Sequence, residues 1–432
     1  MEKPRILPGF MELLPEDQIL FNEIVNTIKT SYESFGFLPI DTPVIEYSDV
    51  LLAKAGGETE KQIYRFKKGD NDISLRFDLT VPLARYVAQR YNDLIFPFKR
   101  YQIGKVYRGE RAQRGRYREF YQYDIDVLAE DLSLSYDAEI PTVIYETFKN
   151  LNFGKFTIRI NNRKLLNGLF KELNLKEKAV DILRVIDKID KIGKDKIIEL
   201  LKDLDLNEES ISKIIDFITT VGSNDEIINK LKTIGIDNDE FTTGISELEF
   251  VIDSLNETID KDCFVIDLTI ARGLDYYTGT IYETILDDYK ELGSICSGGR
   301  YDNLISNYSD KTVQGVGMSI GLTRLFFQLK EAGIISPKTK TIADILVIPF
   351  DESNIAYANK TAKTLRELGL KTDVYYENKQ FKKKLNYANR QGIKYVAILG
   401  EEEEKANVIT LKNMETGEQM TVNKDDIINT IK

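Results

Sequence analysis

A helical section interrupts a series of strand-like segments, and this interruption constrains the fold more than any other feature of the sequence. Residues 96–101 and 156–160 have the aromatic and β-branched composition of strands. From about 171 to 250 the chain becomes rich in Lys and Ile, and its apolar residues recur at helical spacing. Strand signals resume at Cys263 and continue to Arg324. We therefore predict an α+β domain in which both flanks build one antiparallel sheet and the helical section is an insertion.

The end of the chain has a different pattern, in which predicted strands alternate with predicted helices. The strands are expected at 345–348, 372–376 and 395–399, and the helices at 353–368 and 381–390. Such alternation predicts a small α/β domain with right-handed crossovers. A second nucleotide-binding domain is the alternative, but this region has no glycine-rich phosphate loop. The run Glu401 to Glu404 is predicted to be solvated and to cap a turn or begin a helix.

These patterns give provisional domain boundaries. We predict the first domain at 1–330, with its helical insertion at about 171–250. A linker is expected at 331–341, followed by the small α/β domain at 342–432. A chain of 432 residues exceeds the size of one ordinary core, so more than one domain is expected on length as well.

Composition narrows the location and the metal chemistry that we expect. No run approaches the roughly 20 apolar residues that span a bilayer, and the first residues lack the apolar stretch of a secretory signal. We therefore expect a cytoplasmic protein with no membrane partner. The two cysteines, Cys263 and Cys296, are too few for a disulfide framework or a zinc site, and the chain contains no histidine. Any metal ion is expected to be bound by oxygen atoms.

A strongly basic window suggests a site for a polyphosphate. The window from Lys99 to Arg118 contains eight basic residues and the single acid Glu110. A guanidinium group binds phosphate oxygens through two parallel hydrogen bonds and stays charged at any working pH. Phe120, just beyond the window, could lie under a flat ring as an apolar face. The alternative interpretation is a solvated basic hairpin.

A second segment, at 272–283, combines a cation, adjacent phenols and glycines. Arg272 is suited to charge that develops on a phosphate, and Tyr276 and Tyr277 offer flat walls with polar tips for a small ring. The glycines at 273 and 279 allow the backbone to come close to a ligand. The alternative is a strand end with incidental aromatic residues.

The segment at 315–324 contains glycines in a spacing that excludes one common interpretation. Gly315, Gly317 and Gly321 give the pattern G-x-G-x-x-x-G, which differs from the dinucleotide-binding fingerprint. No acidic residue follows at the distance that would bind a ribose. A strand that runs into a helix is the expected local structure.

In this order, the segments resemble those of the histidyl-tRNA synthetases, a family of class II aminoacyl-tRNA synthetases. Residues 108–122 resemble motif 2, 315–324 resemble motif 3, and 272–283 and 297–302 resemble the two histidine signatures. The C-terminal domain resembles the anticodon-binding domain that several class II synthetases share. The resemblance covers nearly the whole chain and implies an ATP-dependent histidine–tRNA ligase.

The resemblance also implies the substrates, partners and site residues. ATP with Mg²⁺, L-histidine and histidine tRNA are the expected ligands, with no bound organic cofactor, no directly assigned metal ligand and a homodimer as the assembly. Arg272 and Arg108 are implied as catalytic. The histidine-binding set is Asp78, Leu79, Thr80, Arg108, Gln122, Asp126, Arg272, Tyr276, Tyr277 and Tyr301. The ATP-binding set is Arg108, Glu110, Arg116, Phe120 and Arg324.

Asp126 is the residue that the resemblance pairs with the ring nitrogen of histidine. A carboxylate can accept a hydrogen bond from an imidazole N–H and favour the charged ring. The alternative is a structural ion pair with a nearby arginine. Asp124 is expected on the opposite face of the same strand.

Two other functions are compatible with a resemblance of this kind. One is the non-catalytic, synthetase-like regulatory subunit of the ATP phosphoribosyltransferase of histidine biosynthesis. Members of that group usually lack the C-terminal domain and have a degraded 272–277 segment, whereas both are intact in this chain. The other is a synthetase-derived tRNA sensor, which would be expected to lose the arginines of motifs 2 and 3.

The charge distribution bears on a tRNA partner. The net charge of −11 argues superficially against a nucleic-acid ligand. Residues 336–432, however, carry 16 Lys and Arg against 14 Asp and Glu. We therefore expect local basic faces on an acidic body, with tRNA binding that is selective and sensitive to salt.

Overall fold

The chain divides into two compact units in a computed structural model that describes residues 2–53, 57–111, 115, 117–270, 277–303 and 305–431. One unit comprises residues 1–11 and 26–335, and the other comprises 12–25 and 336–432. Each unit has its own sheet and its own buried apolar core.

Strands and helices of the first part of the chain precede the helical section. In chain order they are α1 (Pro15–Ser34), β1 (Leu38–Pro39), β2 (Ile45–Tyr47), α2 (Ser48–Leu52), α3 (Gly57–Gln62), β3 (Arg65–Lys68), β4 (Asn71–Leu75), α4 (Thr80–Arg90), β5 (Phe98–Tyr107), β6 (Glu119–Ala129), α5 (Ser135–Leu151) and β7 (Phe156–Asn162). Strands β2, β4 and β3 form a small separate antiparallel sheet in that spatial order.

Six helices follow before the next strand. They are α6 (Arg163–Glu172), α7 (Ala179–Ile186), α8 (Ile189–Asp203), α9 (Glu208–Ile218), α10 (Asn224–Thr233) and α11 (Asp239–Thr258). Several begin at side chains that accept a hydrogen bond from the first turn, among them Asn162, Asn207, Ser223 and Asn238. Such caps satisfy N–H groups that have no partner inside the helix.

The unit continues with β8 (Phe264–Ile266), β9 (Thr280–Leu286), β10 (Cys296–Tyr301), β11 (Gln314–Ile320) and α12 (Leu322–Glu331). Its main sheet has eight strands in the order β1-β5-β6-β11-β10-β9-β7-β8. Most neighbours in this sheet are antiparallel, which confirms the predicted fold class.

Two pairings in the main sheet are parallel, which differs from the all-antiparallel expectation. Strand β1 pairs in parallel with β5, and β7 pairs in parallel with β8. Adjacent parallel strands need a long crossover connection, and helices α6 to α11 lie between β7 and β8 in the chain. The helical section is therefore the crossover of this strand pair.

The C-terminal elements form a five-stranded sheet with helices. They are β12 (Ile345–Pro349), α13 (Ile355–Glu367), β13 (Thr372–Val374), α14 (Phe381–Gln391), β14 (Tyr395–Leu399), α15 (Glu401–Ala406), β15 (Val408–Asn413), β16 (Gln419–Asn423) and α16 (Ile427–Ile431). The three strands predicted from sequence are parallel, in the spatial order β13-β12-β14. Sequence reasoning missed the antiparallel pair β15 and β16 at the edge. The run from Glu401 begins α15, and the Glu403 carboxylate accepts the N–H of Gly400.

Helices α6 and α11 approach each other closely because glycines lie at their contact. A Cβ added to Gly168 would lie 2.6 Å from the Cβ of Phe241, and one added to Gly244 would lie 3.0 Å from the backbone nitrogen of Leu165. Both spacings are shorter than ordinary van der Waals contact. Helices α6 and α11 are therefore packed through close backbone contact as well as through apolar side chains.

This contact gives a stability prediction. Alanine favours a helix by about 1 kcal/mol over glycine, but in Gly168→Ala the methyl group would overpack the contact with Phe241. Because backbone atoms of Phe241 are among those that the methyl group would meet, we expect an overpacking cost of about 3 kcal/mol and a net loss of about 2 kcal/mol in the free energy of unfolding, measured in urea. Ser246→Ala, on the exposed side of α11, is the control and should change stability little. A Gly168→Ala protein as stable as the wild type would contradict the close approach.

Candidate active site

A cavity of about 490 Å³ lies over one face of the main sheet. Its lining comes from β6, β10 and β11, from the start of α4 and from α12. The cavity brings together ten of the residues that the sequence predicted for a site. They are Asp78, Thr80, Arg108, Glu110, Phe120, Gln122, Asp126, Tyr277, Tyr301 and Arg324.

Four predicted site residues are not placed in this cavity. Leu79 is fully buried and is absent from its lining. Its side chain packs instead toward Gly104, where an added Cβ would lie 3.1 Å from a Leu79 methyl group. Arg116, Arg272 and Tyr276 lie outside the described residues.

Two aspartates of β6 form an acidic row along the cavity floor. Asp124 and Asp126 are 2% and 4% exposed, and both line the cavity. The expectation that Asp124 faces the opposite side was wrong. Residues two apart on a strand share a face, because successive side chains alternate. The floor therefore carries two carboxylates where one was predicted.

Asp126 is held by two neighbouring strands. Arg100 of β5 lies directly opposite in the register, is fully buried, and forms an ion pair with this carboxylate. The Tyr301 hydroxyl of β10 donates to Asp126 Oδ1 at 2.6 Å. Burial raises the pKa of Asp126 to about 6, although Arg100 and Tyr301 act in the opposite direction. Asp126 therefore forms the structural ion pair considered above and also lines the cavity.

Glycines of β11 leave room for these side chains. A Cβ at Gly317 would lie 2.3 Å from Asp126 Oδ1, and a Cβ at Gly315 would lie 2.4 Å from the Tyr301 ring. Real Cβ atoms do not approach so closely, so any larger residue would displace the aspartate or the tyrosine. The glycine spacing at 315–317 is thus explained by side chains that lie flat across the strand.

A third carboxylate lies at the start of α4. Asp78 is 8% exposed, and its Oδ1 accepts the N–H of Val81 at 3.0 Å. Burial raises the pKa of Asp78, while hydrogen bonds from the helix start and the charges of Arg108 and Arg100 act against it. Together with β6, this helix start makes the inner part of the cavity rich in hydrogen-bond acceptors. Such a surface suits a ligand with cationic N–H groups.

Arg108 lies between two aromatic rings at the mouth of the acidic region. Its guanidinium carbon lies 4.3 Å from the centre of the Phe77 ring and 5.1 Å from that of Phe120. Its Nε donates to the Phe77 carbonyl at 3.3 Å. Cation–π contacts of this kind fix the plane of the guanidinium. The contacts hold a cation beside a ring that can support a planar ligand.

Arg324 supplies a second cation on the outer side. It lies in the first turn of α12, which follows β11, and its Nη2 donates to the Leu292 carbonyl at 3.2 Å. The sequence had predicted this strand-to-helix arrangement. Arg108 and Arg324 therefore border the same cavity from different elements.

The reverse face of β10 is anchored by a buried ion pair. Arg300 Nη1 lies 2.8 Å from Asp137 Oδ2 of α5, and the Arg300 carbonyl accepts the N–H of Thr278 at 2.8 Å. The Thr278 hydroxyl also donates to Asp302 at 2.5 Å. These contacts fix the end of the tyrosine-containing segment just before β9. Tyr277, next to Thr278, lines the cavity.

Sequence reasoning missed several lining residues, among them Glu283, Cys296, Met318 and Ser319. They lie on β9, β10 and β11, whose register could not be derived from one sequence. Strict alternation from Gly317 would have placed Ser319 on the cavity face, and alternation from Asp126 would have placed Asp124 there.

Neither a metal cluster nor a membrane helix is found among the residues that the structure describes. No group of three or more Cys, Asp or Glu side chains in these ranges is arranged to hold a metal ion. No helix there is long and apolar enough to cross a bilayer.

The acidic floor gives a pH prediction. Burial raises the pKa of Asp124 to about 7 from an ordinary value of 3.8. Between pH 3.8 and about pH 7, Asp124 is protonated in the folded protein and ionised in the unfolded chain. The free energy of unfolding therefore falls as pH rises through this window. In the absence of ligand, the Asp124→Asn protein should therefore be more stable than the wild type at about pH 8. The difference in stability should be smaller at about pH 5.

Urea unfolding at both pH values tests this expectation. Asp203→Asn, at an exposed position of α8, is the control for removing a carboxylate from the surface. A stability difference between Asp124→Asn and wild type that is the same at both pH values would contradict the prediction.

Comparisons with known proteins agree with this geometry. The family model "Histidyl-tRNA synthetase" matches residues 9–325, and the model "Anticodon binding domain" matches residues 344–432. A histidine–tRNA ligase of Clostridium tetani is 54% identical over 433 residues, covering 100% of this chain and 98% of the relative. One of Finegoldia magna is 48% identical, covering 100% of both.

A solved structure extends the similarity to the whole fold. The crystal structure of histidyl-tRNA synthetase from Nostoc sp. PCC 7120 superposes with a TM-score of 0.92 at 41% identity. The match covers 100% of this chain and 99% of that one. From its fold, its cavity and these matches along its full length, the chain belongs to the histidyl-tRNA synthetase family.

Proposed function

We propose that this chain activates L-histidine with ATP and transfers the histidyl group to the 3′ end of histidine tRNA, with both small substrates bound in the cavity over the main sheet. The observation that carries the proposal is the division of this cavity. Its inner part presents buried carboxylates, and its outer part presents arginines beside an aromatic ring. A small cationic amino acid and a nucleoside triphosphate need these two environments side by side.

The inner part is the proposed histidine site. Asp78 and Thr80 at the start of α4 would bind the α-ammonium group, and Asp126 would bind the ring. The full proposed set remains Asp78, Leu79, Thr80, Arg108, Gln122, Asp126, Arg272, Tyr276, Tyr277 and Tyr301. Support comes from the seven of these that line one cavity: Asp78, Thr80, Arg108, Gln122, Asp126, Tyr277 and Tyr301.

The outer part is the proposed ATP site. Phe120 would lie under the adenine, Glu110 would meet its edge, and Arg108 and Arg324 would hold phosphate oxygens, with Arg116 near the γ-phosphate. ATP would arrive with Mg²⁺. Glu283 lines the cavity, and carboxylate oxygens of this kind are the ligands that Mg²⁺ prefers.

The proposed chemistry needs positioned charge and no protein base. An oxygen of the histidine carboxylate attacks the α-phosphorus, a bond to that phosphorus forms, and the bond to the bridging oxygen breaks as pyrophosphate leaves. Negative charge gathers on the non-bridging oxygens during this step. Preplaced guanidinium groups, Arg108 and the proposed Arg272, would stabilise that charge more than they stabilise ground-state ATP.

We propose a cytoplasmic enzyme with a catalytic domain at 1–330, a linker at 331–341 and an anticodon-binding domain at 342–432. We also propose a homodimer. Leu38 on edge strand β1 is 58% exposed, and Ile45 and Tyr47 on β2 are 47% and 57% exposed. Apolar side chains beside an unpaired strand edge favour contact with another chain. Light scattering of the purified protein measures its mass in solution and so tests the homodimer.

The regulatory-subunit alternative has less support. The arginines Arg108 and Arg324 border the cavity, and the C-terminal residues match an anticodon-binding domain model. A regulatory subunit needs neither feature for an allosteric role. Histidine-dependent exchange of pyrophosphate into ATP decides between the two functions, because a non-catalytic subunit would give none.

The role of Asp126 gives a specific prediction. Asp126→Asn keeps the size of the side chain and removes its charge, so the dissociation constant for histidine should rise by the equivalent of roughly 1.5–3 kcal/mol. Binding of ATP should change little. Isothermal titration calorimetry measures both.

Glu139→Gln is the control for this experiment. Glu139 of α5 is also an acid paired with a cation of the same sheet, Lys99 of β5 at 2.7 Å, but it does not line the cavity. Its replacement should leave histidine affinity near the wild-type value. If Asp126→Asn weakens ATP binding but not histidine binding, Asp126 has another role.

A further inference from the structure

Arg76 is a buried arginine close to the cavity, although it is not one of the lining residues. It follows strand β4, two residues before Asp78, and is 2% exposed. Its Nε donates to the Lys105 carbonyl at 2.8 Å, and its Nη1 donates to the Thr42 carbonyl at 2.6 Å. One planar guanidinium therefore joins strand β5 to the segment that precedes β2.

A glycine of β5 makes room for this side chain. A Cβ added to Gly104 would collide with Arg76 Nη2, at a spacing that real Cβ atoms do not reach. Gly104 lies opposite Gln122 of β6 in the register, and opposite residues of paired strands share a face. Because Gln122 lines the cavity, the Arg76 guanidinium lies over the same face of the sheet as the cavity.

The backbone of Arg76 is held by the same two segments. Its N–H donates to the Val44 carbonyl at 2.9 Å, and its carbonyl accepts the N–H of Tyr107 at 2.9 Å. Tyr107 is the last residue of β5 and directly precedes Arg108. Side chain and backbone together therefore fix residue 76 to the end of the strand that leads into Arg108.

The two residues after Arg76 extend this connection to both parts of the cavity. The Phe77 carbonyl accepts a hydrogen bond from Arg108 Nε, and the Phe77 ring lies against the Arg108 guanidinium. Asp78 comes next and lines the inner part of the cavity. Arg76 is therefore a fixed point from which one group of the inner part and one group of the outer part are both held.

We propose that Arg76 is a positioning residue that sets the distance between the Asp78 carboxylate and the Arg108 guanidinium, and so aligns the two small substrates for reaction. The proposal rests on the proposed function for the identity of these substrates. Each substrate bound alone can follow its own binding group, whereas attack on the α-phosphorus needs both in one geometry. A misplacement of about 1 Å can slow such a reaction by about a hundredfold. Arg76 should therefore affect the chemical step more than it affects either affinity.

Removal of the guanidinium tests this role. Arg76→Met keeps an unbranched, flexible side chain at the position. With saturating histidine and ATP, the rate of adenylate formation per active site should fall by about ten- to a hundredfold. The dissociation constants of histidine alone and of ATP alone should stay close to the wild-type values. Single-turnover kinetics on the full chain, normalised by active-site titration, measures the rate, and isothermal titration calorimetry measures the constants.

Arg76→Lys separates the planar fork from the positive charge. The carbonyls that Arg76 binds belong to Thr42 and Lys105, which lie on different segments, and a single ammonium group does not reproduce the fork that joins them. Arg76→Lys should therefore recover only part of the lost rate. Full recovery would show that the charge alone is needed and would overturn the proposal.

Gly104→Ala displaces the guanidinium and leaves Arg76 in place, so it tests the proposal even if Arg76→Met does not fold. It should reproduce the loss of rate in the wild-type background. In the Arg76→Met background it should have little further effect, because both changes act on one contact. A Gly104→Ala protein with the wild-type rate, or losses that add in the double variant, would contradict the proposal.

Lys384→Met is the matched control for removing a buried cation. Lys384 is 3% exposed and donates to the backbone carbonyls of Pro349 and Phe350, at 2.7 and 3.3 Å, in the other unit of the chain. Its replacement should lower stability and leave the rate per active site unchanged. If it slows adenylate formation as much as Arg76→Met does, or if Arg76→Met reacts at the wild-type rate, Arg76 has only a structural role. Failure of the proposed function looks different, because the wild-type protein would then show no histidine-dependent pyrophosphate exchange.

Discussion

The structure of the site depends on one buried arginine that faces three buried carboxylates. Arg100 forms an ion pair with Asp126, and its charge also lowers the pKa values of Asp124 and Asp78. Burial has the larger effect and raises the pKa of all three acids. Arg100, with Arg108 acting on Asp78 as well, therefore does not outweigh the burial of these acids. Because burial makes the charged carboxylates unfavourable, a ligand that brings positive N–H groups is favoured over a neutral or anionic one.

The backbone of the sheet is adapted to this arrangement from both faces. On the cavity side, glycines at 315 and 317 let Tyr301 and Asp126 lie flat across β11. Glycine within a strand costs stability of roughly 0.5–1 kcal/mol per residue. On the reverse side, Arg300 pairs with Asp137, and the Tyr282 hydroxyl donates to the Asp137 carbonyl at 2.6 Å. The ion pair and the hydrogen bond on the reverse side offset the stability that the glycines on the cavity side cost.

Sequence reasoning predicted the main elements because their signals are local. The interrupted strands, the helical section and the C-terminal alternation each depend on patterns within about 20 residues. The parallel pairs β1–β5 and β7–β8 were missed because partner choice depends on long connections. Strands β15 and β16 were missed because polar residues such as Gln419 and Asn423 dilute the strand pattern. Ser319 escaped notice because its partner Gln122 lies 197 residues away.

The alternation of one strand explains how the site is coupled to the core. Arg300 and Tyr301 are neighbours in β10, and they point to opposite faces. Tyr301 donates to Asp126 over the cavity, whereas Arg300 reaches Asp137 of α5 behind the sheet. A shift of β10 by one residue would exchange these partners and break both contacts. The register of this strand is therefore fixed by two charged contacts on opposite faces, and the position of the Asp126 carboxylate follows from that register. The position of Asp126 in the cavity is thus a consequence of packing on the other side of the sheet.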